Sequence, residues 1–139
     1  MAVTELTARY SETDQMGVIH HSTYVNWFEV GRTNCIRDFG VAYHEIEAAG
    51  FLLPVVEVNV SYKVPAKYED VVQIVSKVSE YNGLRLNFHY EVKRKRDGIL
   101  LVEGETKHCW TRKDMKPISL KKHWPQLHAT IEKMAKEEN

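Results

Sequence analysis

The sequence predicts an α+β fold in which an antiparallel sheet wraps around one long helix. Apolar residues first recur at helical spacing and then, from Leu52 onward, at every second position. Two tight-turn signals, Asn82-Gly83 and Asp97-Gly98, separate the later alternating stretches. Because hairpin turns join antiparallel neighbours, these stretches are expected to form one antiparallel sheet.

The long helix is predicted over residues 24–39, after a short strand over residues 5–10 and an intervening loop. Its apolar stripe recurs at intervals of three and four residues and is too broad for a helix that lies on a flat surface. The stripe consists of Tyr24, Trp27, Phe28, Gly31, Cys35 and Phe39. Gly31 costs helix stability at mid-helix, so we expect it to permit close approach of the sheet. Gly40 can end the helix.

A second, short helix is predicted over residues 43–49, and strands follow from Leu52, over about 71–80, over 84–92 and over 99–112. The tail returns to helical spacing, with Pro125 in a first-turn position. At 139 residues the chain has the size of one domain. We therefore predict a single domain over residues 1–139, of which about 121–139 form a C-terminal helical extension.

Composition points to no particular macromolecular partner. Lys+Arg and Asp+Glu both number 19, although residues 1–60 contain three basic and eight acidic side chains and residues 61–139 contain sixteen and eleven. An anionic ligand is therefore expected to bind the later half. The sequence shows no signal peptide, no stretch long enough for a membrane span and only two cysteines, which favours a cytoplasmic protein without membrane association.

The loop ahead of the long helix contains the residue types needed to attack an acyl carbonyl. It places Asp14, Gly17, His20 and His21 just before an apolar helix. An ionised carboxylate can attack the carbonyl or activate water, and the N–H-rich start of a helix stabilises the resulting oxyanion. Ser11 and Asp14 also match a capping box, but the residues that follow do not support a helix there.

The same stretch resembles the catalytic segment of hotdog-fold acyl-CoA thioesterases of the 4-hydroxybenzoyl-CoA thioesterase-like family. The resemblance rests on Tyr10, Glu12-Thr13-Asp14, Gly17, His21-Ser22-Thr23-Tyr24, Trp27-Phe28-Glu29 and Arg32. Thr23 stands where the family usually has Asn. The hotdog fold has the strand, helix and sheet order predicted above, so pattern and resemblance agree over most of the chain.

The resemblance implies that the protein hydrolyses acyl-CoA to a carboxylic acid and CoA. Asp14 would be the nucleophile or general base, and the backbone N–H of His21 would hold the oxyanion, while Gly17 lets the loop turn back. Further candidates for substrate binding are His20 in the loop, the helix residues Tyr24, Trp27 and Phe28, and the segment containing Tyr62, Lys63 and Lys67. The two lysines, with Arg94 and Arg96 behind them, are candidates for contacting the CoA phosphates.

Other readings of these residues are weaker. Adjacent histidines rarely converge on one ion, so no metal is expected. His108 and Cys109 point to opposite faces of a strand and cannot form a dyad. The run Lys93–Arg96 lacks interleaved aromatic residues, so no nucleic acid is expected. No cofactor is expected besides the coenzyme A of the substrate, and the resemblance implies a homodimer or homotetramer. A hotdog hydratase or dehydratase, or a non-catalytic acyl-thioester binding protein, remains the alternative function.

Overall fold

The computed structural model describes all 139 residues. Its elements follow the chain as strands β1 to β5 and helices α1 to α4, with a single 3₁₀ turn at Tyr10–Glu12. The strands are β1 Ala2–Thr7, β2 Val55–Tyr62, β3 Val71–Tyr81, β4 Arg85–Arg94 and β5 Leu100–Cys109. The helices are α1 Thr23–Arg37, α2 Tyr43–Ala48, α3 Leu120–His123 and α4 Pro125–Glu138. The predicted α+β class is confirmed.

All five strands form one antiparallel sheet in the order β1-β3-β4-β5-β2. The predicted first strand, residues 5–10, is wrong in its bounds because β1 begins at Ala2 and leaves the sheet after Thr7. Pairing with β3 fixes these bounds, from Ala2 opposite Ser76 to Thr7 opposite Val71. Beyond that point the chain turns away and forms the 3₁₀ turn.

Helix α1 packs against β1, β3 and β4. The inward side chains of β4, Leu86, Phe88, Tyr90 and Val92, are fully buried, which confirms the alternation read from the sequence. Gly31 allows the close approach predicted for it. A Cβ at that position would lie 2.3 Å from Ser76 Oγ and 2.8 Å from Ile74 Cγ2.

Strand β2 lies at one edge of the sheet and pairs only with β5. Its valines are unusually open to solvent, with Val55 47% exposed and Val56 58% exposed. At the other edge, α4 packs against β3 beyond the point where β1 begins. The Glu138 carboxylate accepts from Val78 N–H at 2.6 Å, and Asn139 donates to Val78 O at 3.0 Å. None of the helices combines the length and apolar character required to cross a lipid bilayer.

A chain of polar side chains runs into the core, and we name Arg32, Tyr90, Thr106 and His108 the His108 chain. Arg32 is part-buried and the other three are buried. Arg32 Nη1 donates to Tyr90 Oη at 3.2 Å, and Tyr90 Oη lies 2.6 Å from Thr106 Oγ1. His108 Nε2 lies 2.8 Å from the same Oγ1, and its Nδ1 lies 3.2 Å from Leu53 O. A carbonyl only accepts, so Nδ1 carries the proton of a neutral ring. Burial, with the charge of Arg32, lowers the pKa of His108 to about 4.

Candidate active site

The loop between β1 and α1 folds back on itself at Asp14–Val18. Asp14 N–H donates to Val18 O at 2.8 Å, and Gly17 N–H donates to Asp14 O at 3.1 Å. Gly17 has a φ of 81°, a conformation that residues with a side chain rarely adopt, and a Cβ there would meet nothing within 4 Å. The glycine is therefore required by the backbone conformation rather than by space.

The carboxylate of Asp14 is held through only one of its oxygens. Oδ1 accepts from Met16 N–H at 2.8 Å and, more weakly, from Val18 N–H at 3.4 Å. Oδ2 has no hydrogen-bond partner in the chain. The side chain is half-buried. Asp14 is thus oriented by its own loop and still has one oxygen free to react.

Glu12 ties this loop to α1. Its Oε2 accepts from Trp27 Nε1 at 3.0 Å, its Oε1 accepts from Arg9 N–H at 2.8 Å, and its carbonyl accepts from His20 N–H at 2.8 Å. The two ends of the loop are therefore fixed to each other and to the helix. The sequence indicated Glu12 only as part of the family pattern, and its bond to Trp27 depends on how the loop returns to the helix.

The segment just ahead of α1 offers an unused donor. The N–H of His21 makes no hydrogen bond within the chain, whereas its carbonyl accepts from Tyr62 Oη at 2.8 Å. Tyr24 Oη accepts from Ala66 N–H at 3.0 Å, and burial raises the pKa of the Tyr24 hydroxyl. These bonds connect the start of α1 to the segment that follows β2.

Asp14 and His21 line the same cavity, which has a volume of about 240 Å³. Its walls combine the loop, the first turn of α1 and the end of β2. The lining residues are Asp14, Met16, Val18, Ile19, His21, Tyr24, Tyr62, Lys63, Val64 and Pro65. A carboxylate with a free oxygen and an N–H-rich helix start therefore meet in a largely apolar recess.

Five of the residues predicted for the site line this cavity, namely Asp14, His21, Tyr24, Tyr62 and Lys63. Gly17 shapes the loop without contributing to the wall. The other four, His20, Trp27, Phe28 and Lys67, do not line it. Trp27 and Phe28 are 2% and 0% exposed, and the Phe28 ring stacks on Tyr90 with centroids 4.4 Å apart. The sequence did not single out Met16, Val18 or Val64, because nothing in a loop sequence shows which side chains face a cavity.

The basic side chains predicted to contact the CoA phosphates differ in whether they already form ion pairs. Lys63 lies at the cavity wall and forms no ion pair, and Lys67 is exposed. Arg94 instead binds Asp97, with Nε to Oδ2 at 3.1 Å, and lies 3.8 Å from Asp70 Oδ2. Arg96 also lies beside Asp97, at 3.8 Å. These contacts connect the two arginines to the β4–β5 turn.

Known proteins share this architecture and are similar to this chain in sequence. The Thioesterase-like superfamily matches residues 8–128. The "Putative acyl-CoA thioesterase YneP" of Bacillus subtilis is 38% identical over 133 residues, 95% of this chain and 96% of that protein. The acyl-CoA thioester hydrolase YbgC of Escherichia coli is 26% identical over 113 residues, 81% and 84% of the two chains. A DHNA-CoA thioesterase from Staphylococcus aureus superposes with a TM-score of 0.94 at 37% identity, covering 99% of this chain and 93% of that one.

The matched fold and the loop ahead of α1 define a hotdog-fold thioesterase. The chain belongs to the Thioesterase-like superfamily and is a thioester hydrolase.

Proposed function

We propose that this protein hydrolyses acyl-CoA, with Asp14 as nucleophile or general base and the His21 N–H as oxyanion donor. The observation that supports the proposal is that Asp14 and His21 line one cavity and each has an unused hydrogen-bonding group, Oδ2 of Asp14 and the N–H of His21. The similar proteins from Bacillus subtilis and Escherichia coli, described as acyl-CoA thioesterases, support the same substrate class.

Two routes fit these groups. In the first, Asp14 attacks the thioester carbonyl, the C–S bond breaks, CoA thiolate leaves, and water then hydrolyses the acyl–Asp14 anhydride. In the second, Asp14 takes a proton from water while the oxygen of that water attacks the carbonyl. Both routes pass through an oxyanion that the His21 N–H would stabilise. Neither route requires a metal or redox cofactor, and activity is expected to survive a chelator.

The cavity favours an acyl group that is apolar and compact. Met16, Val18 and Pro65 supply apolar wall, and the Tyr24 and Tyr62 rings meet edge to face with centroids 5.6 Å apart. The Staphylococcus aureus protein of the same fold is described as a DHNA-CoA thioesterase. We therefore infer an aromatic acyl group, with DHNA-CoA as the first substrate to test.

Lys63 and Lys67 are the proposed contacts to the CoA phosphates, because neither forms an ion pair that would compete. Lys63→Ala is expected to raise KM about threefold to tenfold while kcat changes less than twofold, since the phosphates are remote from the reacting carbonyl. The effect should weaken as salt rises. Lys133→Ala on α4 is the matched control, and an equal change in KM there would remove the assignment.

A homodimer or homotetramer is part of the proposal. Strand β2 leaves one edge of its backbone unpaired and exposes Val55, Val56 and Val58. Monomeric proteins usually protect such an edge, which otherwise pairs with another chain. Pairing through β2 would cover these valines. Sedimentation measurements would give the number of chains, and the cytoplasmic location stays a prediction.

The decisive experiment is thiol release from a panel of acyl-CoA substrates by wild type and Asp14→Asn. The panel includes DHNA-CoA, a short straight-chain acyl-CoA and an enoyl-CoA. We expect turnover by wild type and a fall in kcat of at least about 10³-fold in the variant, the scale of losing a catalytic group. Because Asn keeps an oxygen for the Met16 N–H, the fold of the loop should be unchanged.

Asp114→Asn is the matched control for this experiment. Asp114 Oδ1 accepts from Lys116 N–H at 3.0 Å, the same turn that Asp14 makes with Met16, but Asp114 does not line the Asp14 cavity. Its substitution should leave kcat unchanged. Wild-type turnover in Asp14→Asn would contradict the proposed role of Asp14. Hydration of the enoyl-CoA without thiol release would instead support a hydratase, and binding without any turnover would support a binding protein.

A further inference from the structure

The start of α1 is capped in an unusual way. Ser22 occupies the N-cap position, where a serine side chain normally accepts from a backbone N–H of the first turn, but it makes no such bond. The first turn also contains no acidic residue. Instead, the ring of His20 lies against the segment. Its Nδ1 accepts from Ser22 N–H at 3.1 Å and lies 2.8 Å from Ser22 Oγ.

The bond from Ser22 N–H assigns the tautomer of a neutral His20 ring. An N–H donor needs a lone pair, so Nδ1 is unprotonated and the proton of the neutral ring is on Nε2. An imidazolium could donate from Nδ1 to Ser22 Oγ, but it would lose the bond from Ser22 N–H. It would also place positive charge beside the positive end of the α1 dipole. Protonation of His20 therefore opposes the arrangement seen in the structure.

The backbone of His20 is anchored on both sides as well. Its N–H donates to Glu12 O at 2.8 Å, and its carbonyl accepts from Thr23 N–H at 3.0 Å. His21 therefore lies between two residues, His20 and Ser22, that the imidazole joins. The His21 ring stacks on that imidazole with centroids 4.1 Å apart. The direction of the free His21 N–H follows from this small turn, in which the neighbouring backbone groups are hydrogen-bonded.

We propose that neutral His20 is a positioning residue that holds the His21 N–H toward the thioester oxygen. The inference rests on the proposed acyl-CoA hydrolysis and deepens it. His20 does not line the cavity, so it acts through the helix start and not on the substrate. Protonation of His20 releases Ser22 N–H, loosens the turn and lowers kcat. The titratable groups around this turn include His21, Glu12, Asp14, Tyr24, Tyr62 and Lys63.

Two substitutions of His20 separate the role of its hydrogen-bond acceptor from the role of its ring. Asn at position 20 keeps an oxygen that can accept from the N–H two residues later, but it does not titrate. Phe keeps a ring to stack on His21 and has no acceptor. We expect His20→Phe to lower kcat roughly tenfold with KM nearly unchanged, less than the ~10²–10³-fold cost of removing an oxyanion donor. His20→Asn should retain kcat within about threefold.

The dependence of kcat on pH distinguishes positioning by His20 from a merely structural role, which would leave that dependence unchanged. Histidine changes charge between about pH 5 and 8. The kcat of wild type should therefore fall with acid, and this fall should be smaller in His20→Asn, which cannot be protonated at position 20. His44→Phe, a change at an exposed histidine of α2, should leave the profile as in wild type.

Amide hydrogen exchange at Ser22 tests the positioning independently of activity. Exchange should be about fivefold faster in His20→Phe than in wild type, the worth of one hydrogen bond, and close to wild type in His20→Asn. If wild type turns over acyl-CoA but both variants keep its kcat, pH profile and exchange, the inference is overturned while the proposed function stands. If wild type shows no turnover, the proposed function fails. Unchanged exchange of the Ser22 amide in His20→Phe would then also show that His20 does not hold the Ser22 N–H.

Discussion

The Asp14 cavity and the His108 chain use hydrogen-bonding groups in opposite ways. In the cavity, Oδ2 of Asp14 and N–H of His21 have no partner within the protein. In the His108 chain, each side chain bonds the next, from Arg32 through Tyr90 and Thr106 to His108 and on to Leu53 O. The cavity therefore keeps hydrogen-bonding groups free for a ligand, whereas the His108 chain pairs its groups within the protein.

The histidine of the His108 chain and the histidine beside the cavity, His20, also have opposite tautomers. His108 carries its proton on Nδ1, which donates to a carbonyl, whereas His20 carries it on Nε2 because Nδ1 accepts from Ser22 N–H. His108 is 1% exposed, and His20 is only half-buried. We therefore expect changes in the His108 chain to alter stability and changes at the cavity to alter kcat. A substitution in the His108 chain that lowers kcat, or one at the cavity that lowers stability, would contradict this comparison.

The largest expected effect is on stability, from Thr106→Val. Valine has the shape of threonine but leaves Tyr90 Oη and His108 Nε2 without their shared partner in the core. Each buried group left unpaired costs about 1–3 kcal/mol, so we expect a loss of about 4 kcal/mol in the free energy of unfolding. Urea denaturation measures it. For the folded enzyme kcat should change less than twofold.

Thr130→Val on α4 is the control, because Thr130 Oγ1 donates only to Gln126 O, at 3.1 Å, on a partly exposed helix face. Its cost should be below about 0.5 kcal/mol. A kcat that falls in parallel with the stability of Thr106→Val would show that the two regions are not separate.

The next largest effect is expected on the pH dependence of stability, and it comes from His108 in the His108 chain. The pKa of His108 is about 4 in the folded protein, below the ordinary histidine value of about 6.5. Between these values the unfolded chain binds the proton and the folded protein does not. Stability is therefore fully present above about pH 6.5 and falls as pH drops toward 4, by on the order of 3 kcal/mol for this residue.

His108→Gln removes this titration and keeps a donor and an acceptor. We expect the variant to be less stable than wild type at pH 7 but to lose less stability than wild type between pH 7 and pH 4.5. Urea midpoints at both pH values give the difference. His44→Gln, at an exposed site on α2, should keep the wild-type acid dependence. An acid loss in His108→Gln as large as in wild type would refute the assignment.

The sequence was sufficient for the parts of the fold that rest on periodicity. The alternation of residues 84–92, the stripe of α1 and the role of Gly31 are all confirmed. The exposed valines of β2 could not be predicted, because alternation is the same in an edge strand as in an internal one. The bounds of β1 were also beyond the sequence, since pairing with β3 sets them.

The site was predictable where it lies in one contiguous segment. Asp14, Gly17 and His21 occur within eight residues of the sequence. The apolar stripe of α1, however, could not show that Tyr24 reaches the cavity while Phe28 stacks on Tyr90 inside the sheet. The His108 chain was not foreseen either, because it requires the register between β4 and β5.

The smallest effect is expected at Tyr62, which lines the Asp14 cavity. Its hydroxyl donates to His21 O at 2.8 Å although the side chain is 51% exposed. Tyr62→Phe removes one bond to the helix start, worth about 1 kcal/mol, so kcat should fall about fivefold. Because the hydroxyl is solvated when unpaired, the free energy of unfolding should change by less than about 0.5 kcal/mol.

Tyr68→Phe is the matched control for this prediction. Tyr68 is 50% exposed and packs edge to face on Tyr10, but its hydroxyl bonds nothing in the chain and it does not line the Asp14 cavity. The kcat of Tyr68→Phe should equal that of wild type. A fivefold fall in Tyr62→Phe alone would place a residue of β2 in the positioning of the oxyanion donor. A loss of stability without a change in kcat would instead group Tyr62 with the His108 chain, because its bond would then serve only to join β2 to α1.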